Sequence, residues 1–335
     1  MLKDALASLA AAKDLTADDA AAAMGEIMDG SATPAQIAAF LTALKMKGET
    51  VDEIAGCARA MRERSVKIDP GPGVVLDTCG TGGDGLGTFN ISTVAAFVVA
   101  ACGVKVAKHG NRAASSKCGS ADLLEALGAK LENPTEKLEA ILREVGIVYL
   151  HAPNFHPAMK HAAPIRKELG FRTIFNLLGP ICNPAGANVQ VIGVFAPTLT
   201  KPLAKVLMAL GTSRAFTFHG HGGLDELSTT GWNFAVDMNA GKLMDVTIGP
   251  ETVGVPVAKP ADLLGGLVDE NVKIAKEVLA GKKGPKRDIV VLNAAVALVA
   301  AGAAKNPKDG AAKALEVLES GAALSKLDQF VAATK

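Results

Sequence analysis

The chain has 335 residues, 49% of them hydrophobic and 21% charged, which excludes a disordered polymer and allows one large core with a smaller companion. Lysines and arginines number 35 against 34 acidic residues, so the formal charge is +1, and a dedicated nucleic-acid surface is not expected. The five cysteines (57, 79, 102, 118 and 182) are scattered and form no CxxC pair, so neither a disulfide framework nor structural zinc is expected, and a reducing cytoplasm is the plain setting.

In chain order, the opening MLKDALASLAAAKDL is interrupted by Asp4 and closed by Lys13 and Asp14, so it reads as a surface helix and not as a secretory signal. Segments 94–102 and 289–301 are the most apolar and are too short to span a bilayer, so no membrane association is expected. Three helix starts carry capping-box spacing: Thr16 with Asp19, Thr33 with Gln36 and Thr50 with Glu53. Pro34 sits where a first helical turn tolerates it. Ile37, Phe40, Leu41 and Leu44 form one helical stripe, and Ile54 with Met61 another. SVKIDPGPG at 65–73 then reads as a linker.

Beyond it strands and helices alternate. Strands are predicted at 74–76, 104–107, 145–150, 189–195 and 214–219. Helices are predicted at 93–101, 121–127, 271–279, 288–301 and 310–320. Apolar strand runs between helices predict an α/β sheet covered on both faces.

Three polar segments carry the chemistry. DTCGTGGDG at 77–85 follows the first strand, and its glycines let backbone N–H groups approach a phosphate. It lacks the GK[ST] of a P-loop and the spacing of a dinucleotide fingerprint; alone it would be read as a tight surface turn. NIST at 90–93 precedes an apolar helix whose N-terminus favours anions; the plainer role is that Ser92 or Thr93 caps it. KHGNRAASS at 108–116 and GSAD at 119–122 follow the next strand, and open α/β sheets bind ligands at strand carboxyl ends. In HGHGGLDE at 219–226, Asp225 and Glu226 would diverge on a regular strand but can converge on a hard cation in a loop. An exposed acidic pair is the competing reading. The His219 and His221 pair lacks further ligands at zinc spacing.

Taken together, DTCGTGGDG, NIST, KHGNRAASS with CGSAD, HPAMKHAAPIRKELGFRTIFNLLGPICNPA and GLDELS resemble the anthranilate phosphoribosyltransferase family, in order and spacing, over essentially the whole chain. That resemblance implies a small N-terminal helical domain (1–70) and a larger α/β domain (71–335) with a central, mostly parallel sheet of the nucleoside phosphorylase and phosphoribosyltransferase type. The segment at about 160–185 would pack at their interface. It also implies a cytoplasmic homodimer that joins anthranilate to 5-phosphoribosyl 1-diphosphate with Mg²⁺ in tryptophan biosynthesis.

By the same resemblance Gly80, Gly83, Asp84, Thr88, Asn90, Ile91, Ser92, Thr93, Lys108, His109, Gly110, Asn111, Ser115, Ser116 and Ser120 would hold the diphosphate donor. Gly80, Asn111, His156 and Arg166 would hold anthranilate, whose carboxylate suits an arginine fork. Ser92, Asp225 and Glu226 would serve Mg²⁺, and Lys108, His109 and Asn111 would be catalytic, with His109 orienting the acceptor and not acting as an essential base. The sequence departs from the family pattern at His221-Gly222 and at Cys182, outside these groups. A nucleoside phosphorylase is the nearest alternative and is disfavoured by KHGNR with GLDE. A nucleic-acid-binding relative would be expected to show a degraded cradle and a basic surface.

Overall fold

The computed structural model describes residues 1–113 and 117–335. Four helices come first: α1 (Leu2–Ala10), α2 (Ala17–Met28), α3 (Pro34–Lys47) and α4 (Val51–Glu63). Helices α3 and α4 start with complete capping boxes. At α2 the Thr16 hydroxyl accepts from the Asp19 N–H, but Asp19 turns its carboxylate to that hydroxyl and not to the backbone. Glu53 does more than cap: fully buried, it accepts from the N–H groups of Leu15 (2.9 Å) and Thr50 (2.8 Å) and from Lys47 (3.0 Å). Those partners remove the cost of an unpaired buried carboxylate.

Seven strands follow: β1 (Val75–Gly80), β2 (Lys105–Gly110), β3 (Ile147–His151), β4 (Val189–Gly193), β5 (Arg214–His219), β6 (Asn233–Asn239) and β7 (Lys242–Ile248). Their order is β3-β2-β1-β4-β5-β6-β7; the first five run parallel and the last two antiparallel. The carboxyl ends of five strands therefore share one edge. Between and after them lie α5 (Ile91–Ala101), α6 (Ser120–Ala126), α7 (Thr135–Val145), α8 (Ala152–Phe155), α9 (Ala163–Leu169), α10 (Phe175–Ile181), α11 (Thr200–Ala209), α12 (Val268–Leu279), α13 (Pro285–Ala300), α14 (Pro307–Glu319) and α15 (Ala322–Thr334).

Alternation along the strands feeds two apolar clusters. Val191, Phe216 and Ala235 face one side, where α5 and α12 to α15 pack. Ile192, Ala215 and Val236 face the other, against α10, α11 and the four N-terminal helices. Segment 65–73 has no helix or strand, yet Ile68 is buried and its N–H donates to the Pro184 carbonyl.

Several sequence expectations are corrected. Strands β1 and β2 run on through their polar ends, so Asp77 to Gly80 and Lys108 to Gly110 are strand residues and not loop residues. Those polar groups are tolerated because they are hydrogen-bonded: Asp77 accepts from the His109 N–H and from Asn183, and Lys108 donates to the Thr78 carbonyl. Helix α5 starts at Ile91, two residues early, with Asn90 as N-cap and no side-chain cap, so neither Ser92 nor Thr93 caps it. Val145 ends α7 and is not in β3.

Candidate active site

The site forms where the carboxyl ends of β1, β2, β4 and β5 meet the segment 224–226. Three glycines make room for that segment. A Cβ on Gly80 would overlap the Asp225 carboxylate, one on Gly193 the Asp225 carbonyl, and one on Gly220 the Glu226 carbonyl. Gly80 and Gly193 are also register partners on β1 and β4, so the backbone passes over a gap left by missing side chains.

From that position the two adjacent carboxylates separate. Asp225 accepts from the Gly82 N–H (2.6 Å), and Glu226 accepts from the Ser92 N–H (3.0 Å) in the first turn of α5. Burial raises both pKa values, and for Asp225 the neighbouring Glu226 and Asp84 charges add to the rise. One Asp84 oxygen turns back to the Leu86 N–H, while the other is buried with no hydrogen-bond partner among the described residues. Lys108 is the cation facing Glu226; its ammonium donates to the Thr78 carbonyl and reaches Ser92 Oγ at 3.4 Å. This arrangement holds more negative charge than it balances, and an oxygen-seeking divalent cation would relieve it. Among the described residues no three His, Cys, Asp or Glu side chains form a ready cage. That suits an ion completing its shell with water and substrate phosphate oxygens.

Around the carboxylates the glycine loop is held open. Gly82 and Gly83 both have positive φ (75° and 78°). The Gly83 carbonyl accepts from Arg172 (2.6 Å), and Thr81 is tied to β4 through Gly193. Farther along, Thr88 bridges to Leu264, and Asn90 donates to the Cys118 carbonyl. Ile91, Ser92 and Thr93 are buried in the first turn of α5.

Gly110 ends β2 against Ser120, whose hydroxyl meets Tyr149 (2.9 Å) and the Asn111 carbonyl (3.2 Å). Asn111 is exposed and accepts from the Arg112 N–H. Asp122 receives the N–H groups of Ala113 and Gly119, which closes the base of the following loop. Ser115 and Ser116 lie outside the described residues.

A second, histidine-lined wall lies on the opposite face of β2. The His109 and His156 rings lie 5.1 Å apart between centres and are tilted by 57° to each other. Burial is the main cause that takes His109 down to about 3 and His156 to about 4. His109 Nδ1 sits 3.1 Å from the Gly179 carbonyl, so Nδ1 carries the proton and Nε2 is left as an acceptor. That Nε2 and both His156 nitrogens have no partner among the described residues. Arg166, on α9, lies over the Phe175 ring at 5.1 Å and makes no ion pair with a described residue. Burial lowers its pKa.

Three structural contributors carry no signal of their own in the sequence. Asp77, fully buried, accepts from the His109 N–H (3.2 Å) and from Asn183 (2.8 Å). Asn183 also donates to the Ala107 carbonyl. Arg172 is the third. His219 turns its Nδ1 to the Val194 carbonyl and His221 to Thr230, so the two do not share a zinc site.

Two family profiles match the chain: "Glycosyl transferase family, helical bundle domain" over residues 3–65 and "Glycosyl transferase family, a/b domain" over residues 72–324. The chain is 54% identical to the anthranilate phosphoribosyltransferase of Moorella thermoacetica over 99% of this chain and 98% of that protein. Among solved structures it superposes on the anthranilate phosphoribosyltransferase of Thermus thermophilus with a TM-score of 0.94, at 46% identity and 99% coverage of both chains. It also superposes on the Saccharomyces cerevisiae enzyme in complex with PRPP and Mg, with a TM-score of 0.91, 31% identity, and coverage of 99% of this chain and 97% of that one.

Proposed function

The chain belongs to the anthranilate phosphoribosyltransferase family, and on that premise we propose the following reading of its site. It transfers 5-phosphoribose from 5-phosphoribosyl 1-diphosphate to the amine of anthranilate and releases diphosphate, the step used in tryptophan biosynthesis. The observation that carries the reading is the pairing of two walls on one sheet edge. One wall has a glycine loop, Lys108 and a helix N-terminus for an anionic leaving group. The other has neutral imidazoles and an arginine without an acidic partner for an aromatic carboxylate.

Charge accumulates on the diphosphate as its bond to ribose C1 breaks. Lys108 and the backbone N–H groups of the loop line the first wall, where a bound diphosphate would draw them from their present acceptors, the Thr78 carbonyl for Lys108 and the Asp225 carboxylate for Gly82. Gly80, Gly83, Asp84, Thr88, Asn90, Ile91, Thr93, Gly110, Ser115, Ser116 and Ser120 complete the donor subsite. Asp225 and Glu226, with Ser92, would hold Mg²⁺, which when bound offsets the charge of the diphosphate. Support for that comes from the buried, mutually repelling carboxylates and from the yeast relative solved with PRPP and Mg.

On the acceptor side Arg166 would take the anthranilate carboxylate, with Asn111 and Gly80 beside it. His109 Nε2 and His156 offer acceptors for the amine N–H and orient its lone pair towards C1. The amine is uncharged, and an imidazole that titrates at about 3 is a poor proton acceptor, so no general base is assigned.

We further read residues 1–70 and 71–335 as two domains, with 160–185 at their interface. The two matching profiles fall on either side of residue 70, and α10 shares an apolar cluster with α2 to α4. A cytoplasmic homodimer acting on these two small molecules is the accompanying proposal. The five cysteines are thiols, as a reducing compartment would leave them, and among the described residues no helix is long and apolar enough to cross a membrane.

The test is an assay of purified protein with 5-phosphoribosyl 1-diphosphate, Mg²⁺ and anthranilate, following loss of anthranilate fluorescence. Loss that requires all three components is expected. No loss from folded protein with fresh donor would overturn the reading.

A further inference from the structure

Arg172 lies beyond the turn that ends α9, two residues after Gly170 and six after Arg166. An exposed arginine on a loop ordinarily pairs with a carboxylate or extends into water. Here it makes no ion pair with any described residue. Its guanidinium carbon instead sits over the Phe195 ring, 4.2 Å from the centroid, and one nitrogen donates to the Gly83 carbonyl at 2.6 Å. The cation–π contact holds the guanidinium over Phe195, so the hydrogen bond sets the direction of the Gly83 carbonyl.

That direction matters for the loop. Gly83 is at φ +78°, and a Cβ there would sit 3.4 Å from the same guanidinium. In a trans peptide the C=O and the following N–H point to opposite sides, so holding the Gly83 carbonyl towards Arg172 turns the Asp84 N–H away from it. The Phe195 platform is itself tied to the loop, since its N–H donates to Thr81 Oγ (3.1 Å). Arg172 and Phe195 thus brace the loop at both Thr81 and Gly83. They connect it to the stretch that carries Arg166.

We infer that Arg172 is a positioning residue for the diphosphate donor: it sets the peptide orientation at Gly83 that presents the glycine loop's N–H groups to phosphate. The inference rests on the function proposed above. It concerns donor affinity and not the chemical step, because Arg172 acts through Gly83.

The test compares wild type with Arg172→Gln, Arg172→Lys and Phe195→Leu at saturating Mg²⁺. Binding of 5-phosphoribosyl 1-diphosphate is measured calorimetrically without anthranilate, alongside steady-state kinetics. Loss of a charge-assisted hydrogen bond predicts that Arg172→Gln raises Kd and KM for the donor about tenfold, with kcat within about threefold. The Tm and the KM for anthranilate at saturating donor should be unchanged. Arg172→Lys should recover part of the affinity, and adding Phe195→Leu to Arg172→Gln should cost little more, because both act on one brace. A donor Kd for Arg172→Gln within twofold of wild type would overturn the inference, and so would equal losses for both substrates with a lowered Tm. A wild-type chain that binds the donor but never consumes anthranilate would fail the proposed function and leave this binding comparison readable.

Discussion

Burial of an imidazole disfavours its charged form, and His109 and His156 carry that effect into the pH dependence of the whole protein. Both would titrate near 6.5 in an unfolded chain, but in the fold they titrate at about 3 and about 4. Below 6.5 the unfolded chain therefore binds more protons than the native one. The contribution of these residues is complete above pH 6.5 and is lost as pH falls towards 4. Asp77 works in the opposite sense, since burial raises it from 3.8 to about 6. Comparing wild type with a His109→Asn/His156→Asn double variant isolates the imidazoles. The wild-type unfolding free energy should fall more steeply between about pH 7 and pH 4, by an amount on the order of 5 kcal/mol. Parallel curves would show that burial does not set their protonation. The same low pKa limits the role of His109 in catalysis. His109→Ala is expected to lose less than about three orders of magnitude in kcat, whereas a larger loss restored by added imidazole would make it the base.

At the scale of the element, the strand ends decide where Asp225 and Glu226 go. Glycines at 80, 193 and 220 leave the space that the 224–226 segment occupies, and two of those clashes would be with backbone that has no rotamer to change. Gly193→Ala should therefore displace Asp225, lower activity at least tenfold and raise the Mg²⁺ needed for half-activation, at a stability cost of about 1–3 kcal/mol. Asp225→Asn with Glu226→Gln should weaken Mg²⁺ dependence and activity while keeping the fold, which circular dichroism and an Mg²⁺ titration would check. Normal kinetics at limiting Mg²⁺ in the double variant would remove the metal from this site. These glycines are visible in sequence only as turn formers, because the atoms they avoid come from a distant segment. The parallel strands and most helices were legible from their apolar runs, and the α3 and α4 starts from their caps. The β6–β7 hairpin was not. Its turn is Ala240-Gly241, with Ala240 at φ +48°, where a glycine or asparagine would have signalled the turn. Helices α7 to α11 were not predicted, and neither was α15, which lies in an alanine-rich stretch with a weak apolar stripe. Asp77 and Arg172 lacked a cue for the same reason as the glycines: their partners lie 106 and 89 residues away.

For the molecule as a whole, the N-terminal helices do not close a core of their own. Ile37, Phe40, Ile54 and Met61 belong to the same apolar cluster as Leu178, Ile192, Leu207 and Val236, so the helices and one sheet face are buried by each other. Arg62 crosses that contact. Its guanidinium donates to the carbonyls of Ile181 (2.8 Å) and Leu210 (3.4 Å), and burial lowers its pKa with no carboxylate to compensate. A charge held in this way is tolerated only while both sides of the contact are in place. Two consequences can be measured together. Calorimetric unfolding of the full chain should show one transition, because separating the helices would expose the shared cluster and strand Arg62 away from its acceptors. Arg62→Met should leave the Ile181 and Leu210 carbonyls unpaired but refill much of the volume, lowering stability by about 1–3 kcal/mol without splitting the transition. Two resolved transitions in the wild type would mean that the helical segment is stable without the sheet. In that case the shared cluster would be a docking contact between preformed units, and Arg62→Met would shift only the separation step.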